Sequence, residues 1–177
     1  MRQILIAALA TGALASSVVA QAVAPKPGPE QKRIAYFAGR WNYDGAVKQS
    51  GMGPGGKIKT SETCEWFAGG FHLICRSEGT GPRGAGKGES TMGYDPAEKS
   101  YTYHAINSLG DGFFVRGNVK GPVWTWTNEG KVDGKPMKFR ATITEQSPSA
   151  YTFKLETSSE GNGWEVVEEG RSTKVGG

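Results

Sequence analysis
Few residues in this sequence could move a proton, and they are scattered. Glu62 falls in the alternating run from Lys57 to Phe67, and Tyr43, Tyr101 and Tyr103 fall in other alternating runs. A carboxyl and phenols sharing a dry interior would suit acid–base chemistry, provided burial raises the carboxyl pKa strongly. Glu168 and Glu169 are the one adjacent carboxylate pair. Neighbours on a strand point to opposite faces, so the two cannot serve one centre and read as a solvated rim. His72 and His104 are the only histidines, and strand phase puts both on outer faces. Zinc needs three or four convergent ligands, which the sequence does not assemble. No metal, no cofactor and no catalytic residue is therefore assigned. G-x-S-x-G and H-E-x-x-H are absent, which leaves no ready nucleophile or metal-hydrolase signature.

The two cysteines, Cys64 and Cys75, flank two apolar runs around Gly69-Gly70. The segment reads as a hairpin with a two-residue turn, in which Ala68 faces Phe71, Trp66 faces Leu73 and Cys64 faces Cys75. Opposed Cα atoms lie about 4.5 to 5.5 Å apart, within disulfide reach. This count puts the cysteines at a hydrogen-bonded pair, a strained place for a bridge, and a bulge at the turn would relieve it.

Two phosphate-loop patterns fail on context. Residues 79–84 match G-x-G-x-x-G and residues 81–87 match the start of G-x-x-x-x-G-K. The next place is Gly88 where a magnesium-binding Ser or Thr is needed, and Glu89 to Tyr94 reads as strand, so no helix N-terminus faces a phosphate. The segment is expected to be a Gly-rich hairpin loop.

The elements that must position these groups are almost all strands. Met1-Arg2-Gln3, an apolar run and small residues give the order of a secretory signal peptide, residues 1–22. Cleavage is expected after Ala22, with Ala20 nearly as good. The apolar run is shorter than the roughly 20 residues of a spanning helix, and no Cys follows it, so no membrane anchor is expected. Residues 23–29 form a Pro-rich leader. A short helix is expected over residues 30–37, stopped by Gly39. Ten strands follow, at residues 40–48, 57–67, 71–79, 86–94, 100–107, 112–119, 123–129, 136–145, 150–158 and 164–173. An antiparallel meander of this many strands is expected to close on itself. The fold class is thus all-β, a closed up-and-down antiparallel barrel in one domain over residues 30–177. Removing Arg2 with the leader lowers the net charge from +4 to +3. With no basic stripe, nucleic-acid binding is set aside. The secretory leader points to a periplasmic or secreted protein, where two thiols pair.

Gly39-Arg40-Trp41, between the helix and the first strand, resembles the lipocalin G-x-W entry motif. In that family the tryptophan plugs the closed end and a basic residue from the last strand stacks on it. The resemblance implies Arg171 as that partner, with Lys174 the alternative. The segments Phe37 to Trp41, Glu62 to Phe67, Cys75 to Gly79, Met92 to Pro96, Tyr101 to Tyr103 and Trp124 to Trp126 resemble a bacterial exported lipocalin-like (calycin) family, domain-of-unknown-function family 1579. It implies a calycin-type barrel and assigns no biochemistry. Some calycin relatives hold haem through a late-strand histidine, and no histidine follows His104 here.

Strand phase makes Tyr43, Glu62, Trp66, Tyr101, Tyr103, Asn107, Trp124, Trp126, Phe139 and Phe153 the expected interior lining, with Phe113, Val115 and Leu155 beside them. Aromatic rings with polar tips suit a small, largely apolar ligand. Glu62 and Asn107 would each cost about 1 to 3 kcal/mol if buried without a partner, so water or ligand should meet them. The leading reading is a non-enzymatic binder of such a ligand. The alternatives are a barrel enzyme using Glu62 or a tyrosine, and a filled barrel acting through its surface.

Overall fold
The computed structural model describes residues 25–159 and 163–176. The expected signal peptide lies outside these residues. Helix α1, Pro29–Arg33, begins on a proline whose missing N–H costs nothing there. It tightens into a 3-10 turn at Ile34–Phe37 rather than continuing as one helix. In a 3-10 turn residues i and i+3 share a face, so Ile34 and Phe37 both face the barrel floor, where they are buried.

Ten strands follow: β1 Gly39–Val47, β2 Gly56–Trp66, β3 Leu73–Gly81, β4 Gly84–Asp95, β5 Ser100–Asn107, β6 Gly112–Lys120, β7 Val123–Val132, β8 Lys135–Ser147, β9 Ala150–Ser159 and β10 Glu165–Lys174. Each pairs antiparallel with its sequence neighbour, and β1 pairs with β10, so the sheet closes as a barrel. Closure leaves no strand edge exposed. Along β1 the pairs run from Trp41 opposite Lys174 to Val47 opposite Glu168.

Two hairpins depart from the sequence reading. Between β2 and β3, Phe67 N donates to His72 O at 2.9 Å and Gly70 N to Phe67 O at 2.9 Å. The turn is therefore wider than two residues and Ala68 does not pair with Phe71. Trp66 opposite Leu73 and Cys64 opposite Cys75 hold as expected. With Phe67 and His72 hydrogen-bonded, alternation puts the cysteines at a non-hydrogen-bonded pair. Their Cα separation of 4.0 Å agrees, and they form a disulfide. The Gly-rich stretch after Gly79 is strand, not loop: Gly79 pairs with Gly86 and Gly81 with Gly84 around Pro82-Arg83.

The core occupies the end of the barrel nearest α1. Ile34, Phe37, Cys64, Leu73, Cys75, Met92, Tyr101, Trp124 and Trp126 form one buried cluster there. Each large apolar side chain buried in this way contributes about 1.5 to 3 kcal/mol. Among the described residues no helix is long and apolar enough to cross a membrane.

Candidate functional site
The closed end is a plug of rings around Trp41, which is 2% exposed. Its indole N–H donates to Phe37 O at 2.8 Å, and its ring lies 5.0 Å from Tyr151 and 5.7 Å from Tyr36. The cation over it is Lys174, with Nζ 5.0 Å from the ring centroid, not Arg171. The reason is phase. Ser172 is buried and faces inward, so Arg171 is exposed on the outer wall opposite Asp44, and Lys174 returns to the side of Trp41. Trp124 is completely buried, donates to Glu145 at 2.7 Å and lies under Arg33, whose guanidinium is 2.5 Å from Glu145 and 4.9 Å from the ring. Trp124, Trp126 and Tyr101 thus pack the floor.

Above that floor the inner face is more open. Tyr43, Thr60, Ser77, Tyr103, Val115, Phe139, Ala141, Phe153 and Leu155 are half-buried, and inward-facing Phe113 is 46% exposed. Residues on a filled barrel's inner face would be fully buried, so this half holds a lumen. Gly79, Gly81, Gly86 and Gly88 occupy successive inward positions of β3 and β4, where an added Cβ would meet the Lys59 carbonyl at 2.2 Å, Ile58 at 3.6 Å, Leu109 at 3.4 Å and Ser77 at 2.9 Å respectively. Tyr43 lies flat against the wall over Gly45 and Gly170, where an added Cβ would come within 2.5 and 2.6 Å of its phenol. Its hydroxyl donates to Glu168 at 2.9 Å. Burial pushes the Tyr43 pKa up, with the Glu168 charge adding to it, and burial also raises Glu168.

Glu62 points into this lumen from β2, opposite Trp41 on β1 and Ser77 on β3. It is deep among protein atoms yet in reach of the lumen, and burial pushes its pKa up to about 7. Among the described residues no side-chain hydrogen bond or ion pair meets its carboxylate. Two phenols stand in its field: Tyr103, raised to about 12 by burial and then by the Glu62 charge, and Tyr151, raised for the same two reasons. The Ser90 and Ser172 hydroxyls partly offset those shifts at Tyr103 and Tyr151 respectively. A Glu62 oxygen also lies within 4.8 Å of both cysteine sulfurs. The disulfide leaves no thiolate to join it as a metal ligand.

The structure therefore brings Tyr43, Glu62, Tyr103, Phe139 and Phe153 to the lumen and leaves Tyr101, Trp124 and Trp126 in the packing below it. Trp66, at the end of β2, is 38% exposed. Asn107 is exposed where β5 ends, and its carboxamide accepts from Leu109 N and Asp111 N and donates to Asp111. It caps a turn instead of facing a ligand. His72 and His104 are exposed on outer faces, His72 over Gly93. Sequence reasoning missed Glu168, Tyr151, Ser90 and Ser172. Tyr151 carried a usable signal, since it alternates with Phe153 and Leu155. Glu168 is hidden by a register shift between Val166 and Glu168, which no pattern announces.

The other end of the barrel is the mouth. Gly51, in the loop between β1 and β2, has its Cβ position 3.3 Å from Val132 on β7. β7 lies across the barrel from β1 and β2, so this loop spans the opening. A recess of about 820 Å³ lies along β1 to β5, lined by the inward Trp41, Glu62, Ser77 and Gly88 as well as by outward residues such as Asn42, Arg76, Lys87 and Glu89. Its charges pair across strands, Arg76 with Glu89 at 3.1 Å and Lys87 with Glu78 at 3.6 Å.

Solved structures similar to the chain are barrels. Rv2717c from M. tuberculosis matches at TM-score 0.58 and 11% identity, covering 84% of this chain and 99% of that one. The S-type phycobiliprotein lyase CPES from Guillardia theta matches at TM-score 0.54 and 9% identity, covering 84% and 93%. A de novo designed fluorescence-activating β-barrel matches at TM-score 0.44 and 14% identity, covering 79% and 94%. At such identities the first two speak for the fold alone. None of the curated proteins matches the chain. A family described as "Protein of unknown function (DUF1579)" matches residues 26–174.

Proposed function
We propose that this chain, which belongs to the DUF1579 family, is an exported, periplasmic or secreted protein that binds a small, largely apolar ligand in the upper half of its barrel without transforming it. The observation that carries this reading is the contrast between the two halves of the inner face. Below, rings fill the barrel. Above, the inward side chains of Tyr43, Thr60, Ser77, Val115, Phe139, Phe153 and Leu155 are only half-buried and Phe113 is exposed. A lumen with apolar walls at Val115, Phe139, Phe153 and Leu155 and a few polar groups is the usual form of a small-molecule site. The leader at residues 1–22 and the Cys64–Cys75 disulfide support export to an oxidising compartment.

Native mass spectrometry of the mature protein taken from the periplasm or medium of an exporting host tests this. A co-purifying small molecule released by denaturation is the expected result. An empty protein that also binds no apolar fluorophore would overturn it.

A second reading has one observation in its favour. Glu62 is pushed up to about 7, where a carboxyl can both take and give a proton near neutral pH. On that reading the barrel is an enzyme and Glu62 its general acid or base. Turnover of the co-purified molecule, lost in Glu62→Gln, would favour it over simple binding.

A further inference from the structure
We infer that the lumen selects a ligand whose apolar body ends in a protonated amine, and that this ammonium group sits against Glu62 between the phenols of Tyr103 and Tyr151. The inference rests on the binding reading above and specifies the ligand's chemistry.

A carboxylate placed away from bulk water is costly unless paired and hydrogen-bonded. Three part-buried carboxylates of the barrel have such partners: Glu145 has Arg33 and Trp124, Glu156 has Arg140 and Lys154, and Glu168 has Tyr43. Glu62 has none among the described residues. Its surroundings are nevertheless suited to a cation. Trp41, opposite it on β1, is buried with Lys174 over its ring, and the phenols that interact with the Glu62 charge are Tyr103 on β5 and Tyr151 on β9. Electron-rich ring faces attract ammonium groups, and hydroxyl oxygens of Tyr103, Tyr151, Ser90 and Ser172 can accept N–H donors. The half-buried apolar wall toward the mouth, at Phe153, Leu155 and Phe139, accommodates the rest of such a molecule.

No competing cation faces this centre among the described residues. Lys174 is over Trp41 at the closed end, and Arg33 is engaged with Glu145 below Trp124. From β3 come Ser77 and the oxidised Cys75, from β4 Ser90, and from β10 Ser172, none of which titrates near neutral pH. Glu168 on β10 titrates nearer the mouth, bonded to Tyr43 on β1. Both histidines are outside.

The test compares dodecylamine, dodecanol and dodecanoate, each titrated calorimetrically into mature protein below its micelle concentration. The amine should bind about tenfold or more tightly than the other two, the gain of one charge-assisted hydrogen-bonded pair. Its affinity should rise from pH 5.5 to pH 8 as Glu62 loses its proton. Glu62→Gln should abolish the amine preference and its pH dependence, and a far-UV circular dichroism spectrum matching that of the parent protein shows that the variant folds. Tyr103→Phe, which keeps the ring and the carboxylate, should retain most of the preference. Equal binding of all three overturns this inference and leaves the lumen as a site, as does a preference that persists in Glu62→Gln. Binding of none overturns both readings.

Discussion

The phenol of Tyr43 donates a 2.9 Å hydrogen bond to Glu168, joining the first strand of the barrel to the last. The bond lies across the closing seam and needs bare backbone at Gly45 and Gly170 beneath the ring. Tyr43→Phe should cost about 1 kcal/mol in urea unfolding, the net worth of one such bond. It should also raise the Glu168 pKa further, because Tyr43 holds it down. An NMR titration of the Glu168 carboxyl that shows no upward shift would refute the link.

Glu62 gives stability a particular pH dependence. Its pKa is raised from 4.5 to about 7 by burial, so the folded state holds this proton more tightly than the unfolded chain. The contribution is full below pH 4.5 and is lost as pH rises through 7. It amounts to about 3 kcal/mol at most, reduced by water in the lumen. Raised Glu168 acts in the same sense. Asp95, Asp111 and Glu156, held low by Arg116, Arg83 and Arg140, act oppositely and only below this window. Glu62→Gln should therefore gain stability relative to wild type at pH 8 and not at pH 4.5. Urea midpoints that differ equally at both pH values would show that Glu62 is not the group responsible.

At the floor, Arg33 is the residue to remove. Arg33→Ala strips Glu145 of its cation and uncovers Trp124. Both charged side chains are part-buried, so the expected loss is about 1 to 2 kcal/mol. Arg171→Ala, on the exposed wall, should stay within about 0.5 kcal/mol of wild type. Thermal unfolding of the two variants side by side tests the ranking, and an equal or larger loss at Arg171 would contradict it.

Filling the lumen should separate binding from folding. At Gly81 an added Cβ meets only Ile58, at 3.6 Å, whereas at Gly79 it would strike the Lys59 carbonyl at 2.2 Å. Gly81→Leu should keep the unfolding temperature within a few degrees and weaken dodecylamine binding at least about tenfold. Unchanged affinity would move the site away from the β3 and β4 wall.

Much of the barrel was legible because a strand with one dry face writes its period into the sequence. Met137, Phe139, Ala141 and Ile143 alternate with polar residues, and β8 forms there as expected. Cysteine pairing followed from register alone. What the pattern hid depends on positions where side-chain type stops reporting orientation. Glycine has no face, so the inner wall of β3 and β4 read as a loop. A register shift in β10 turned Glu168 inward, and a single place along that strand exchanged Arg171 for Lys174 as the cation on Trp41. Asn107 had the inward phase, but its strand ends there and a turn claims its side chain.

The seam between β1 and β10 also sets an order of events. Trp41 pairs with Lys174 across it, so the tryptophan near the start of the barrel meets its cation only when almost the last residue of the domain arrives. A chain threaded amino-terminus first through a narrow channel would have its floor residues waiting, uncovered, until the final strand emerged. Such closure by the most distant contact is slow. Until then Trp41 and Tyr151 would offer an apolar surface to any chaperone on the far side, and the Cys64–Cys75 hairpin, complete within a dozen residues, would be the first part of the wall able to lock.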